Sequence, residues 1–236
     1  MTAETRGRRF HEGLGVLQAR LLAMGGLVEA LVARAVDAFQ ARDASVVAWA
    51  KAEDDRIDEI ELEIDETGLE LLALHQPMAV DLRQIVTALK VSNDLERVGD
   101  HGLNIAKAAG RIADMSAMPS VPELNEMAEI ARGMLSDSLG AFVARDAKGA
   151  FDVLKQDEKV DRLRQSLFRI LLTHMMEEPR RIGPSLELLL VAQNLERIAD
   201  LSTNIAEDVV FMVEGEVIRH RTEDYRKSEA AASTKA

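Results

Sequence analysis

The sequence predicts an all-α protein made of two tandem three-helix bundles, and three observations carry that expectation. Apolar residues recur at three- and four-residue spacing, as in Leu14, Leu17, Leu21, Met24, Val28, Leu31, Ala35 and Phe39, which is the pattern of one buried helical face. Period-two alternation of β-branched residues is absent, as are Asn-Gly and Asp-Gly hairpin turns. The five prolines fall in three places, Pro77, Pro119 with Pro122, and Pro179 with Pro184, where they end helices.

Taken in order, a first helix is expected over residues 10–41, followed by Asp43, which is placed to cap a second over 44–74. Pro77 separates that helix from a third over 78–113, and Pro119 and Pro122 open a fourth over 122–144. Asp146 is placed to cap a fifth over 147–176, and the pair Pro179 and Pro184 divides it from a sixth over 184–214. Residues after about Arg219 turn polar and alanine-rich and read as a frayed tail.

The six helices are two copies of three. Phe39-Gln40-Ala41-Arg42-Asp43-Ala44 and Phe142-Val143-Ala144-Arg145-Asp146-Ala147 match at an offset of 103. The same offset relates Asp54 and Asp58 to Asp157 and Asp161. Beyond the proline breaks it falls to 100, where Leu95-Glu96-Arg97-Val98-Gly99-Asp100 faces Leu195-Glu196-Arg197-Ile198-Ala199-Asp200 and Asn104-Ile105-Ala106 faces Asn204-Ile205-Ala206. The chain therefore divides into residues 1–116 and 117–236, the second unit carrying the polar C-terminal tail. Each unit is small for a lone core, so the two are expected to pack on one another.

Composition narrows the function. With 41 acidic and 29 basic residues the net charge is −12, and aromatics make up 3%. Nucleic-acid binding is excluded as the expected role, because phosphate neutralisation and base stacking both lack their side chains. There is no cysteine, which removes disulfides, thiolate metal sites and cysteine nucleophiles. Met1 to Glu12 is polar, with Arg6, Arg8 and Arg9 and no apolar run behind them, so no secretory signal is read there. No run of 18 uninterrupted apolar residues occurs. A soluble, cytoplasmic protein is expected.

The repeated acids carry the candidate chemistry. Each half has an aspartate pair four residues apart on one helix and Glu-x-x-x-Asp on the next, so both carboxylates of a pair share a face. Residues 54 and 100, and 58 and 96, are equidistant from Pro77. In the second half 157 and 200, and 161 and 196, are equidistant from the point between Glu178 and Pro179. A compact antiparallel hairpin would bring Asp54 beside Asp100, Asp58 beside Glu96, Asp157 beside Asp200 and Asp161 beside Glu196. Four converging carboxylates repel unless a cation compensates or some are protonated. Mg, Mn, Ca or iron, held by oxygen ligands, would suit such a site.

The competing interpretation is a solvated face whose acids pair with Arg56, Arg97, Arg162, Arg164 and Arg197. Glu61, Asp65 and Glu66 have no acidic counterpart of the same kind in the second half and read as solvated surface. Asn104 and Asn204, one turn beyond the Glu-x-x-x-Asp pairs, could orient a ligand, though packing or a helix-to-helix hydrogen bond explains them equally well. His75 and His174 sit near hairpin turns, and His101 faces Leu201 outside the shared pattern. Ferritin-like di-iron chemistry needs Glu-x-x-His, which none of the five histidines satisfies. An all-α, metal-dependent nucleotide pyrophosphohydrolase and a metal-free helical adaptor remain as alternatives.

Gln76-Pro77-Met78-Ala79-Val80-Asp81-Leu82-Arg83 and Asn93-Asp94-Leu95-Glu96-Arg97-Val98-Gly99-Asp100-His101-Gly102-Leu103-Asn104-Ile105-Ala106 resemble the PhoU family of phosphate-signalling proteins. So do Met24-Gly25-Gly26-Leu27-Val28-Glu29 and Asn194-Leu195-Glu196-Arg197-Ile198-Ala199-Asp200, and the likeness runs over about residues 8–215. It implies iron or zinc clusters, with Mg or Mn as alternatives, held by Asp54 with Asp58, Glu96 with Asp100, Asp157 with Asp161, and Glu196 with Asp200. It also implies a cytoplasmic, non-enzymatic and often dimeric regulator. Such a regulator links the ATPase subunit of the phosphate ABC transporter to a sensor histidine kinase, represses the phosphate-starvation response, and meets the membrane only through these partners. Ala199 and Leu201 stand where the first half has Gly99 and His101, which puts equal metal occupancy of the two halves in question.

Overall fold

Helix boundaries in both halves follow local chemistry that the repeat duplicates. The computed structural model describes residues 3–116 and 118–218, with side chains from Gly7 onward. The expected tail after Arg219, with His220, lies outside the described residues. The first half comprises α1 (Ala3–Ala41), α2 (Val46–His75) and α3 (Val80–Ile112). The second comprises α4 (Pro122–Ala144), α5 (Ala147–Leu154), α6 (Asp157–Glu177), a 3-10 turn at Pro179–Arg181, and α7 (Ile182–Glu214). No strand occurs among the described residues.

Helices α1 and α4 end identically. Arg42 and Arg145 adopt left-handed backbone at φ 56° and 53°, and the amides of Asp43 and Asp146 return to Ala38 O and Ala141 O, both at 2.9 Å. That is the Schellman closure, which satisfies carbonyls the helix would otherwise leave open. The aspartates then turn the chain onward, Asp43 Oδ1 accepting from the Ser45 amide at 2.9 Å and Asp146 Oδ1 from the Lys148 amide at 3.0 Å. Asp146 is the N-cap of α5, whereas α2 begins slightly later, with Ser45 at its N-cap position.

The expected single helix over 147–176 is instead two. At Lys155 and Gln156 the amide of Gln156 bonds Val153 O and that of Lys159 bonds Gln156 O, each at 3.0 Å. These three-residue spacings tighten the backbone locally. Lys155 and Gln156 are ordinary helix formers, so propensity gives no reason for the break. One consequence is that Asp157 and Glu158 enter the first turn of α6, where the helix dipole favours acids.

One hydrophobic core runs through both halves, joining Leu17, Leu31 and Ile57 of the first to Met134, Leu167 and Ile198 of the second. Helices α3 and α7 form its spine and run antiparallel, as their polar contacts show. Arg83 Nε donates to Met212 O at 3.3 Å, Lys90 pairs with Asp208 at 3.1 Å, His101 Nδ1 lies 2.9 Å from Asn194 Oδ1, and Arg111 pairs with Glu187 at 2.8 Å. Helix α1 is long and apolar enough over Gly7–Ala41 to cross a membrane by composition alone. Its apolar face, including Leu17, Leu21, Met24 and Leu31, is fully buried in the core.

Candidate metal centre

In the first half the acids sit on the outer face of the α2–α3 hairpin. Small residues let the helices approach there: a Cβ added to Gly99 would lie 3.3 Å from Ile57 Cδ1 and 3.6 Å from Asp54 Oδ1. Asp54 is thereby held beside the α3 backbone, next to Asp100. The pairs expected about Pro77 lie near enough to act on one another electrostatically, Asp100 on Asp54 and Asp58 on Glu96. Burial, then the charges of Asp100, Asp58 and Asp55, push Asp54 up to about 6, with Lys107 opposing. Asp58 is raised by burial and by Asp100 and Asp55. Glu96 is raised by burial, then by Asp100, Asp58, Glu61 and Asp54.

Glu61 therefore belongs to this cluster, which corrects its reading as solvated surface. It is half-buried, and its own pKa is raised by burial, Asp65 and Asp58. The signal was present in the sequence: residues 54, 58, 61 and 65 step by four, three and four, which is one helical stripe. Neither nearby arginine serves the cluster. Arg56 pairs with Glu53 at 2.9 Å and Arg97 with Asp94 at 3.4 Å.

The second half keeps the register and changes the charge balance. Asp161 acts electrostatically on both Glu196 and Asp200, so these three converge on the outer face of the α6–α7 hairpin. Asp157 lies half-buried at the start of α6. Two arginines enter the group. Arg164 Nε lies 2.8 Å from Glu196 Oε1, and Arg197 lies 3.2 Å from Asp200 Oδ2. Burial raises Glu196 and Asp200, while Arg164 and Arg197 pull both back down. Arg162 pairs with Glu158 outside the cluster, at 2.6 Å.

The remaining candidates are peripheral. Asn104 is exposed and Asn204 half-buried, each one turn past its aspartate. His174 lies 3.1 Å from Arg181 and helps close the second hairpin, while His101 reaches across to α7. Among the described residues no three His, Cys, Asp or Glu side chains are gathered as a ready metal shell. The first cluster is a set of mutually repelling carboxylates, and repulsion alone would hold such side chains apart. Its donors are all carboxylate oxygens, which suit a hard cation and offer nothing to a soft one.

Comparison with known proteins agrees with this architecture. The PhoU domain family matches the sequence twice, over residues 21–109 and 124–209. A phosphate-specific transport system accessory protein PhoU homolog of Zymomonas mobilis is 39% identical over 215 residues, 91% of each chain. The protein of the same name from Caulobacter vibrioides is 41% identical over 210 residues, 89% of this chain and 91% of its own. The crystal structure of PhoU from Pseudomonas aeruginosa superposes with a TM-score of 0.85 at 37% identity, covering 88% of this chain and 100% of that one. The phosphate transport system regulatory protein PhoU from Streptococcus pneumoniae gives 0.81 at 29% identity, covering 88% and 98%. With the family matched in both repeats and relatives of about 40% identity aligned over most of its length, the chain belongs to the PhoU family.

Proposed function

We propose that this protein is a non-enzymatic, cytoplasmic accessory protein of a phosphate-specific transport system, which restrains phosphate uptake and the phosphate-starvation response. Two partners are proposed: the ATPase subunit of the phosphate ABC transporter and a sensor histidine kinase, the protein linking one to the other as a homodimer. What supports this reading is near-full-length similarity to relatives named as transport-system accessory and regulatory proteins. The acidic clusters are proposed to bind metal. The observation that carries this is the mutual electrostatic influence of Asp54, Asp58, Glu61, Glu96 and Asp100, with Arg56 and Arg97 paired elsewhere.

A bound cation would supply positive charge and draw these carboxylates inward. Iron, Mn or Mg suits an all-oxygen set best, and zinc, which favours imidazole and thiolate, suits it least. The second cluster, Asp157, Asp161, Glu196 and Asp200, is proposed as the weaker site because Arg164 and Arg197 already compensate it.

Metal analysis of purified protein, with thermal unfolding in added Fe, Mn, Mg or Zn, tests the metal reading. Glu96→Ala/Asp100→Ala is expected to lose most of the metal and Glu196→Ala/Asp200→Ala little. Wild type without metal and without metal-induced stabilisation refutes it. Pull-down against the ATPase subunit and the kinase tests the regulatory reading, and binding to neither refutes that.

A further inference from the structure

Where the two repeat units join, they enclose a cleft to which both contribute. The C-terminal ends of α1 and α3, the segment 118–122, the start of α4 and one side of α7 surround about 340 Å³. Its floor belongs to the shared core: Phe39, Ile112, Val191 and Leu195 line it, and all four are buried. Pro119 and Pro122 line it as well, and their fixed backbone angles stiffen the connecting segment that forms one wall. Protein interiors pack as densely as organic crystals, so a space of this size beside the core is notable, and it falls within the range of small-molecule sites.

Polarity is confined to a few residues. Of the described residues that line the cleft, Arg42 alone is charged, in a chain with 41 acids. Its place is fixed by left-handed backbone at φ 56° and by Nη1 donating to Met115 O at 3.2 Å. Among the described residues no carboxylate pairs with it. Gln40 Nε2 donates to Asn125 Oδ1 at 3.1 Å, which braces α1 against α4 and leaves the amide N–H groups of Asn125 to a ligand.

The internal repeat provides a control. At the offset of 103, Val36, Gln40, Asn125 and Ala128 correspond to Leu139, Val143, Leu22 and Gly25, which line a second hollow between α1 and α4. There the two amides are replaced by aliphatic side chains, and the charged residue among those lining it is Glu29 rather than Arg145, the counterpart of Arg42. The fold therefore forms its matched hollow without a cation or a pair of amides.

An apolar floor beneath one cation and an amide suits a ligand of the opposite arrangement. We propose that the cleft at the junction of the repeats binds a small amphipathic carboxylate, its alkyl chain on the floor and its carboxylate at Arg42 and Asn125. One guanidinium compensates one negative charge, which matches a carboxylate better than a dianionic phosphate ester. Filled to interior density, the cleft holds on the order of ten non-hydrogen atoms, about the size of octanoate. This site does not depend on metal in either acidic cluster.

Isothermal titration calorimetry of the full chain tests it, with octanoate, with octan-1-ol as the uncharged probe, and with inorganic phosphate as an anion lacking a chain. Wild type is expected to bind octanoate more tightly than octan-1-ol, and phosphate is expected not to displace octanoate. Arg42→Gln removes the charge and should weaken octanoate binding about five- to tenfold while leaving octan-1-ol unchanged. Arg145→Gln, at the same helix-end position in the other repeat, should bind as wild type does. Ala128→Met places a longer, flexible side chain in the cleft and should lose both ligands while circular dichroism shows it folded. The proposal is overturned if wild type binds no octanoate, if Arg42→Gln and Arg145→Gln bind it equally, or if octan-1-ol binds wild type as tightly. It is also overturned if folded Ala128→Met binds octanoate as wild type does, or if phosphate displaces it.

Discussion

The two acidic clusters share a register and differ in who neutralises them. In the first, Asp54, Asp58, Glu61 and Glu96 are all raised, and Asp54 reaches about 6 through burial first and then through the charges of its carboxylate neighbours. In the second, guanidinium groups stand against Glu196 and Asp200. Two substitutions between the repeats account for the change. Arg164 occupies the position of Glu61, which reverses one charge within the cluster. Asn194 occupies the position of Asp94, so Arg97 pairs backward with Asp94 while Arg197 pairs forward with Asp200. Duplication thus leaves one half with guanidinium groups against its acids and the other with acids that face mainly one another.

The largest expected effect comes from moving one half's charge into the other. Glu61→Arg should abolish most of the stabilisation that the proposed metal would give the first cluster, about 2.7 kcal/mol for a cation at a hundred times its dissociation constant. Thermal unfolding with and without metal reads the loss. An unchanged metal shift in Glu61→Arg would show that Glu61 plays no part in the site. The reverse exchange, Arg164→Glu, should create a metal-induced shift in the second half.

Without metal, Arg164→Glu should be costly by itself. Glu196 is 16% exposed and would lose its guanidinium while gaining a carboxylate neighbour. Because Arg164 is itself 46% exposed, solvent screening holds the expected loss to about 1 kcal/mol. A lowered urea midpoint with unchanged m-value would confirm it, whereas an unchanged midpoint would mean that the second cluster is not held by this pair.

The pH dependence separates the clusters next. A carboxylate raised on folding binds protons more tightly in the folded than in the unfolded state. Stability of the metal-free protein therefore falls as pH rises from the ordinary aspartate value of 3.8 toward about 6, the window set by Asp54. With Asp54 still partly exposed, its share is on the order of 0.5–1 kcal/mol. Asp54→Asn should remove more of this slope than Asp200→Asn, because Arg197 partly offsets Asp200. Denaturant midpoints across that window measure both slopes, and equal slopes would erase the distinction.

Much of this could be read from residue order because helices and compact turns convert spacing into position. Pro77 and the Glu178–Pro179 turn set the hairpin registers, and the shared Arg-Asp steps at 42–43 and 145–146 set identical helix ends. Glu61 was missed because the repeat suggested judging each acid by its acidic counterpart, and the informative fact was that its counterpart is Arg164. The direction an arginine takes was not legible at all. Arg97 and Arg197 lie on matched helix faces, and a long side chain reaches three residues either way, so the choice rests on whether 94 or 194 is charged. The break at Lys155 and Gln156 has no propensity signature and arises only in the folded chain.

The smallest expected effect concerns the backbone that holds the first cluster. Gly99 stands where the second half has Ala199. Within a helix, alanine is favoured over glycine by about 1 kcal/mol. Against this, the new Cβ of Gly99→Ala would press on Ile57 Cδ1 at 3.3 Å, a terminal methyl that can shift by a few tenths of an ångström. The two effects oppose, and Gly99→Ala is expected to unfold within about 0.5 kcal/mol of wild type. The contact with Asp54 Oδ1, at 3.6 Å, is ordinary van der Waals distance, so the metal-induced shift should survive as well. A loss well above 1 kcal/mol, or a vanished metal shift, would instead mean that Gly99 sets the separation of α2 and α3. The difference between the clusters would then begin in the backbone, before any charge is counted.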